Sequence, residues 1–108
     1  MSRAYLGEFE EIVLLMVAVL EGQAYGVTIA AELKQRTSRA ISLSGVHIAL
    51  YRLEEKGFVI SELGGATTAR GGRRKRLFTI TAMGKQTLSD MREVRNQLWD
   101  SIPTPSLT

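Results

Sequence analysis

Basic side chains are concentrated in one short stretch of the sequence, and they are the groups best suited to bind an anion. Between residues 70 and 76 there are four arginines and one lysine: Arg70, Arg73, Arg74, Lys75 and Arg76. The guanidinium fork can bind two phosphate oxygens at once and can enter a narrow minor groove. This stretch therefore indicates a surface that holds a phosphate backbone, and a solvated charge run is the alternative.

The charge distribution along the chain supports an anionic partner. The net charge is only +3, but residues 1–33 carry five acidic and one basic side chain, whereas residues 34–76 carry ten basic and three acidic ones. Residues 77–108 carry three of each sign. Positive charge confined to one part of a small protein is typical of nucleic-acid binding.

A predicted helix lies just before the basic stretch, starting at Ser42 or Ser44 and ending at Gly57. Its inner face is apolar, with Val46, Leu50 and Leu53 at helical spacing. Its opposite face carries hydroxyl, imidazole, aromatic and guanidinium groups, which can reach base edges or phosphates from the major groove. The candidate DNA-contacting residues of this helix are Ser42, Ser44, His47, Ile48, Tyr51 and Arg52.

Three of these side chains also have a simpler interpretation. His47 can be an ordinary surface histidine, and a metal role is disfavoured because the sequence has one histidine and no cysteine. Tyr51 can pack against the base of the following hairpin. Arg52 can pair with Glu55 on the same helix.

A β-hairpin is predicted directly after this helix. Residues 58–63 (FVISEL) alternate as a strand, residues 64–74 contain four glycines and form an exposed loop, and residues 75–81 (KRLFTIT) return as a second strand. Phe78 and Ile80 share the core-facing side. A helix followed by a basic hairpin is the outline of a recognition helix and its wing. The candidate wing contacts are Arg70, Gly72, Arg73, Arg74 and Lys75.

The remaining helices are predicted to support this unit and to pair two copies of it. The first helix, residues 8–21, is apolar nearly all round beyond Glu11, which indicates burial on more than one side. A second helix spans residues 26–37, and a fourth follows the cap residue Thr81.

The apolar surplus of the first helix favours a homodimer, and burial against the chain's own fourth helix is the alternative. The candidate interface residues are Ile12, Leu15, Val19, Leu88, Met91, Arg95, Leu98 and Trp99. Trp99 can pack at this interface or form the wall of a site for a small hydrophobic ligand.

The length indicates one domain, and the lack of cysteine fits a cytoplasmic protein. The order of the predicted elements indicates a mostly α fold with a small β-hairpin (α+β). We expect residues 1–80 to form a winged-helix DNA-binding domain, residues 81–102 to form a dimerisation helix in the same compact unit, and residues 103–108 to be a loose tail. No signal peptide is apparent, and the apolar run at residues 12–20 is too short to span a membrane. Enzyme signatures, cofactor motifs and metal-ligand spacing are lacking.

Four segments and one further glycine resemble the PadR-like transcriptional regulators in their short form. They are LGEFEEIVLL (6–15), AYGVTIAAEL (24–33), SLSGVHIALYRLEEKGFV (42–59) and GGRRKRLFTIT (71–81), followed by Gly84. The resemblance implies a winged helix-turn-helix dimer in which the C-terminal helix packs against the partner's N-terminal helix. It also implies a repressor, with release from DNA by a small aromatic or hydrophobic compound in some members. His47 stands where the family usually has tyrosine, and Tyr51 where it has a small or polar residue, so the DNA sequence read should differ from that of relatives.

Two other functions are compatible with a winged helix. One is a protein-interaction module without DNA binding, which the density of arginines in the wing disfavours. The other is an RNA-binding module, which the lack of interleaved exposed aromatic and basic residues disfavours.

Overall fold

The computed structural model describes residues 6–64 and 75–103. These residues form four helices and a two-stranded antiparallel sheet, which confirms the predicted α+β fold class. The elements are α1 (Glu8–Val19), α2 (Gly26–Thr37), α3 (Leu43–Glu55), β1 (Val59–Leu63), β2 (Arg76–Ile80) and α4 (Ala82–Ser101). The predicted bounds agree to within two residues. The largest differences are at the C-terminal end of α1, which stops at Val19 instead of residue 21, and of α3, which stops at Glu55 instead of residue 57.

Local side-chain chemistry explains where α3 and α4 begin. Ser42 Oγ accepts a hydrogen bond from Gly45 N at 3.0 Å, which caps α3. Thr81 Oγ1 accepts from Gly84 N at 3.0 Å and donates to Gly57 O at 2.8 Å, so it caps α4 and ties it to the end of α3. Gly57 has a left-handed φ of 83°, which favours glycine and lets the chain turn from α3 into β1.

The hairpin is packed closely against the start of α4. Val59 pairs with Ile80 and Leu63 with Arg76 across the sheet. A side chain at Gly84 would collide with the carbonyl oxygen of Phe58, so glycine is required where the helix crosses the strand. The hairpin and α4 are therefore held in one arrangement by backbone contact.

One hydrophobic core lies between α1, α2, α3 and the hairpin. The largest fully buried side chains come from all of these elements and include Leu14, Ile29, Leu50, Phe58 and Phe78. Phe78 faces the core as predicted, and Ile80 packs against it half-buried. The buried side of α1 includes Leu14.

The remaining apolar surface of α1 and α4 lies outside this core. Leu15 and Val19 are exposed on α1, as are Val94, Leu98 and Trp99 on α4. By contrast, other candidate interface residues are half-buried against the chain's own core: Ile12, Leu88 and Met91. Burial within the chain thus accounts for part of the apolar surplus of α1.

Candidate nucleic-acid interface

The outward face of α3 presents several of the predicted contact residues to solvent. Ser44, Ile48, Tyr51 and Arg52 are all exposed, and the two apolar members Ile48 and Tyr51 are each 53% exposed. Ser42 lies at the start of the same helix, where its hydroxyl group already serves as the cap. An exposed isoleucine and tyrosine beside an arginine form a face that can contact thymine methyl groups, base edges and phosphates.

His47 occupies a more restricted position than its neighbours on this face. The imidazole is half-buried, and its Nδ1 atom is buried without a hydrogen-bond partner among the described residues. Its ring centroid lies 6.2 Å from that of Tyr51, with an angle of 27° between the planes. Tyr51 therefore stacks on His47, an arrangement that neither interpretation of Tyr51 from the sequence included.

Two acidic residues in the first turn of α1 hold basic residues of the α3 region. Arg39 lies in the turn before α3, and its Nη1 atom is 2.8 Å from Glu8 Oε2. Glu10 Oε1 accepts a hydrogen bond from Lys56 Nζ at 2.8 Å, and Glu10 Oε2 lies 3.8 Å from Arg52 Nη1. The acidic partner of Arg52 is thus Glu10 and not the predicted Glu55. At 3.8 Å, and with its side chain 64% exposed, Arg52 remains accessible to a phosphate.

The base of the wing is tied to both α2 and α3. Arg76 Nη1 donates to Ser61 Oγ at 3.0 Å, and Ser61 Oγ donates to Glu54 Oε2 of α3 at 2.8 Å. Tyr25, at the start of α2, forms a β-bridge with Leu77. These contacts fix the direction in which the hairpin leaves the domain.

Of the predicted wing contacts, only Lys75 lies within the described residues. It is exposed, and its Nζ atom lies 5.4 Å from the centre of the Tyr25 ring, which is cation–π distance. Arg70, Gly72, Arg73 and Arg74 lie outside the described residues.

A second surface lies between α1 and α4, away from the outward face of α3. Its apolar part includes Leu15, Ala18, Leu88 and Trp99. At its floor the buried carboxylate Glu11 has its Oε1 atom 2.7 Å from Arg95 Nη2, without hydrogen-bond alignment. Arg95, a predicted interface residue, therefore has an ionic partner within its own chain.

The roles of Arg39 and Glu10 beside the outward face of α3 were not identifiable from the sequence. Their partners lie on other helices, and helical spacing reveals only neighbours on the same helix. The three glutamates in the first turn of α1 could have indicated these ion pairs, because residues 34–76 are basic and opposite charges in a small domain tend to pair.

The helices and hairpin together define a winged helix-turn-helix protein. A family model described as "Transcriptional regulator PadR-like family" matches residues 14–90, and the chain belongs to this family. The resemblance found in the sequence is thereby confirmed. Because the family consists of transcriptional regulators, the prediction that the protein is not an enzyme agrees with the assignment. A comparison with curated proteins finds no match.

Solved structures of PadR-family proteins share this fold. A PadR family transcription regulator from hypervirulent Clostridium difficile is 26% identical with a TM-score of 0.64, and the alignment covers 82% of this chain and 91% of that one. A PadR-like transcriptional regulator from Bacillus cereus is 17% identical with a TM-score of 0.69, covering 86% and 85%. PadR of Bacillus subtilis, solved in complex with operator DNA, is 21% identical with a TM-score of 0.62, covering 93% of this chain and 53% of that one.

The described residues show neither a membrane span nor a metal site. Within residues 6–64 and 75–103, no helix has the length and apolar character needed to cross a bilayer. Over the same ranges, no three histidine, aspartate or glutamate side chains are grouped so that they could hold a metal ion.

Proposed function

We propose that this protein is a sequence-specific regulator that binds double-stranded DNA as a homodimer and represses transcription. The observation that carries the proposal is the exposed face of α3, which places Ser44, Ile48, Tyr51 and Arg52 together next to the base of a basic hairpin. The structure of Bacillus subtilis PadR with operator DNA supports the same use of the fold.

In this proposal the two parts of the site have different tasks. The face of α3 enters the major groove and reads base edges, with Arg52 in contact with a guanine or a phosphate. The wing, from Arg70 to Lys75, contacts the phosphate backbone or the minor groove of the DNA without reading the base sequence. Arg39 is an additional candidate for a phosphate contact, because it lies just before α3 with its side chain 44% exposed.

The dimer would form through the exposed apolar surfaces of α1 and α4. Leu98 and Trp99, which are consecutive residues of α4, are 65% and 70% exposed, and neighbouring exposed apolar side chains mark an interaction surface. Residues 81–102 would serve as the dimerisation helix beside the DNA-binding residues 1–80. Two copies related by a twofold axis would read an inverted repeat with half-sites about 34–36 Å apart, one turn of DNA, or a multiple of this distance.

A small hydrophobic or aromatic compound is the proposed signal that relieves repression. Trp99 lines the surface between α1 and α4 together with Leu15 and Leu88. A flat aromatic side chain at a subunit boundary can stack on such a compound. Binding there would release DNA by moving the two α3 helices out of register with the half-sites.

A band-shift titration tests the proposal. The full chain is added to a duplex from the region upstream of its own gene, to an unrelated duplex of equal length, and to RNA of the same sequence, at several salt concentrations. We expect tighter binding to the first duplex and an affinity that falls steeply with salt. Equal binding to both duplexes would contradict sequence-specific recognition, and preferential binding to RNA would favour an RNA-binding module. No salt-dependent shift with any of them would favour a protein-interaction module.

A further inference from the structure

Gly26 and His47 are in direct contact, although they belong to different helices. A Cβ atom at Gly26 would lie 2.6 Å from His47 Cε1 and 2.8 Å from His47 Nε2. Gly26 is the buried first residue of α2, and its φ is not in the left-handed region, so the backbone does not call for glycine there. Alanine is more favourable than glycine in a helix. The space taken by the imidazole is therefore the physical reason for a glycine at this position.

The start of α2 is held so that it cannot easily move away from this ring. Tyr25 N donates to Thr28 Oγ1 at 3.0 Å, and Thr28 Oγ1 donates to Gln23 O at 2.7 Å. On the other side, Phe78 N of β2 donates to Ala24 O at 2.9 Å. A side chain added at residue 26 would thus displace the imidazole and not the backbone.

His47 has a second neighbour on its own helix. Tyr51, one turn later on α3, stacks on the imidazole at a centroid distance of 6.2 Å. The imidazole therefore has both the backbone of Gly26 and the ring of Tyr51 as neighbours, and the two restrict its orientation before any partner binds. A side chain that is already ordered loses less conformational entropy on binding.

We propose that Gly26 is a positioning residue for sequence recognition. By leaving room for the imidazole of His47, it sets the direction from which that ring and the stacked Tyr51 ring meet the bases. This inference rests on the proposed function, because it assigns Gly26 to the base-reading part of the same site. Gly26 itself does not contact DNA in this arrangement.

The experiment compares the full chain with Gly26→Ala, His47→Ala and the double variant on a duplex library with a randomised half-site. Gly7→Ala is the matched control, because a Cβ at Gly7 meets no atom within 4 Å. We expect Gly26→Ala to change discrimination at one or two adjacent base pairs by about fivefold or more, with an unchanged salt slope. In the His47→Ala background the same substitution should have no further effect.

A measurement without DNA accompanies the selection. The imidazole ¹H–¹³C resonances of the single histidine should shift in Gly26→Ala and stay in place in Gly7→Ala. If Gly26→Ala alone does not fold, the double variant with His47→Ala, which lacks the imidazole, should regain the stability of His47→Ala. A double variant that also fails to fold would overturn the inference. Wild-type binding with an unaltered preference in Gly26→Ala would overturn the inference and leave the proposed function standing. The absence of any salt-dependent duplex binding by the wild type would overturn both.

Discussion

Glu10 and Lys56 connect the first turn of α1 to the C-terminal end of α3. Lys56 Nζ donates to Glu10 Oε1 at 2.8 Å, and the Glu10 side chain is only 14% exposed. The other carboxylate oxygen faces Arg52 at 3.8 Å. One acidic residue therefore lies against two cations of the helix that we propose to enter the major groove. It helps to hold that helix in place, and it also adds negative charge close to the proposed path of the DNA.

Glu10→Gln should strengthen DNA binding while weakening the fold slightly. Loss of the Glu10 charge removes its repulsion of nearby phosphates, and the positive charge of Arg52 is no longer partly neutralised. We therefore expect an affinity gain of about threefold to tenfold at low salt. Loss of the partly exposed ion pair should lower the free energy of unfolding by about 1 kcal/mol or less. Fluorescence-anisotropy titration and urea unfolding measure the two effects.

Glu21→Gln is the matched control for this prediction. It changes the net charge by the same amount at an exposed position after the end of α1. If both variants gained the same affinity, the effect would come from net charge alone. That result would contradict a local effect of Glu10 on Arg52 and the nearby phosphates.

The contrast between Glu10 and Ser42 shows how far the sequence could predict this site. Ser42 was identifiable as one of two candidate caps, with Ser44, because the partner of a cap lies three residues away. Helical spacing identified the outward face of α3 in the same way. Glu10 meets Lys56 only after the core has brought α1 against α3, so no local pattern revealed the pair. The contact of Gly26 with His47 was hidden for the same reason. In α1, where every residue after Glu11 is apolar, periodicity could not decide that Leu14 is buried while Leu15 is exposed.

Thr81→Ala should destabilise the junction between the hairpin and α4. The substitution removes the hydrogen bond to Gly84 N and the one to Gly57 O. Loss of an N-terminal cap costs about 0.5–2 kcal/mol. Thr79→Ala, at an exposed position of β2, is the control and should cost less. Chemical unfolding compares the two variants, and equal losses would contradict the role given to Thr81.

Trp99→Ala should weaken the proposed dimer. The indole is 70% exposed in the single chain, so its removal leaves the core of that chain intact and takes apolar area from the interface. We expect at least a tenfold rise in the dimer dissociation constant, measured by sedimentation at several concentrations. Val27→Ala removes an apolar side chain that is 63% exposed on α2 and should leave association unchanged. An unchanged dimer in Trp99→Ala would contradict this interface.

Arg73→Ala and Arg74→Ala should weaken binding to every DNA sequence alike. In the proposed function these arginines contact phosphates and do not read bases. Each lost phosphate contact should reduce the slope of log K against log salt by about 0.9. Lys85→Ala, which removes one positive charge from the first turn of α4, is the control and should leave the slope nearly unchanged. A change in base preference with an unaltered slope would show that the wing reads sequence.

The pairing of Glu11 with Arg95 leads to a test of whether Arg95 serves its own chain or the dimer interface. Glu11 is buried at 6% exposure, so Arg95→Ala would leave a buried carboxylate without its cation. Because the Arg95 side chain is 52% exposed and solvent screens the pair, we expect a loss of about 1–2 kcal/mol in the free energy of unfolding. Glu11→Gln combined with Arg95→Ala should recover part of this loss, because it also removes the buried charge. Urea unfolding of the wild type, of Glu11→Gln, of Arg95→Ala and of the double variant at several protein concentrations gives the coupling free energy. A coupling independent of concentration is expected for a pair within one chain, whereas one that grows with concentration would place Arg95 in the interface instead.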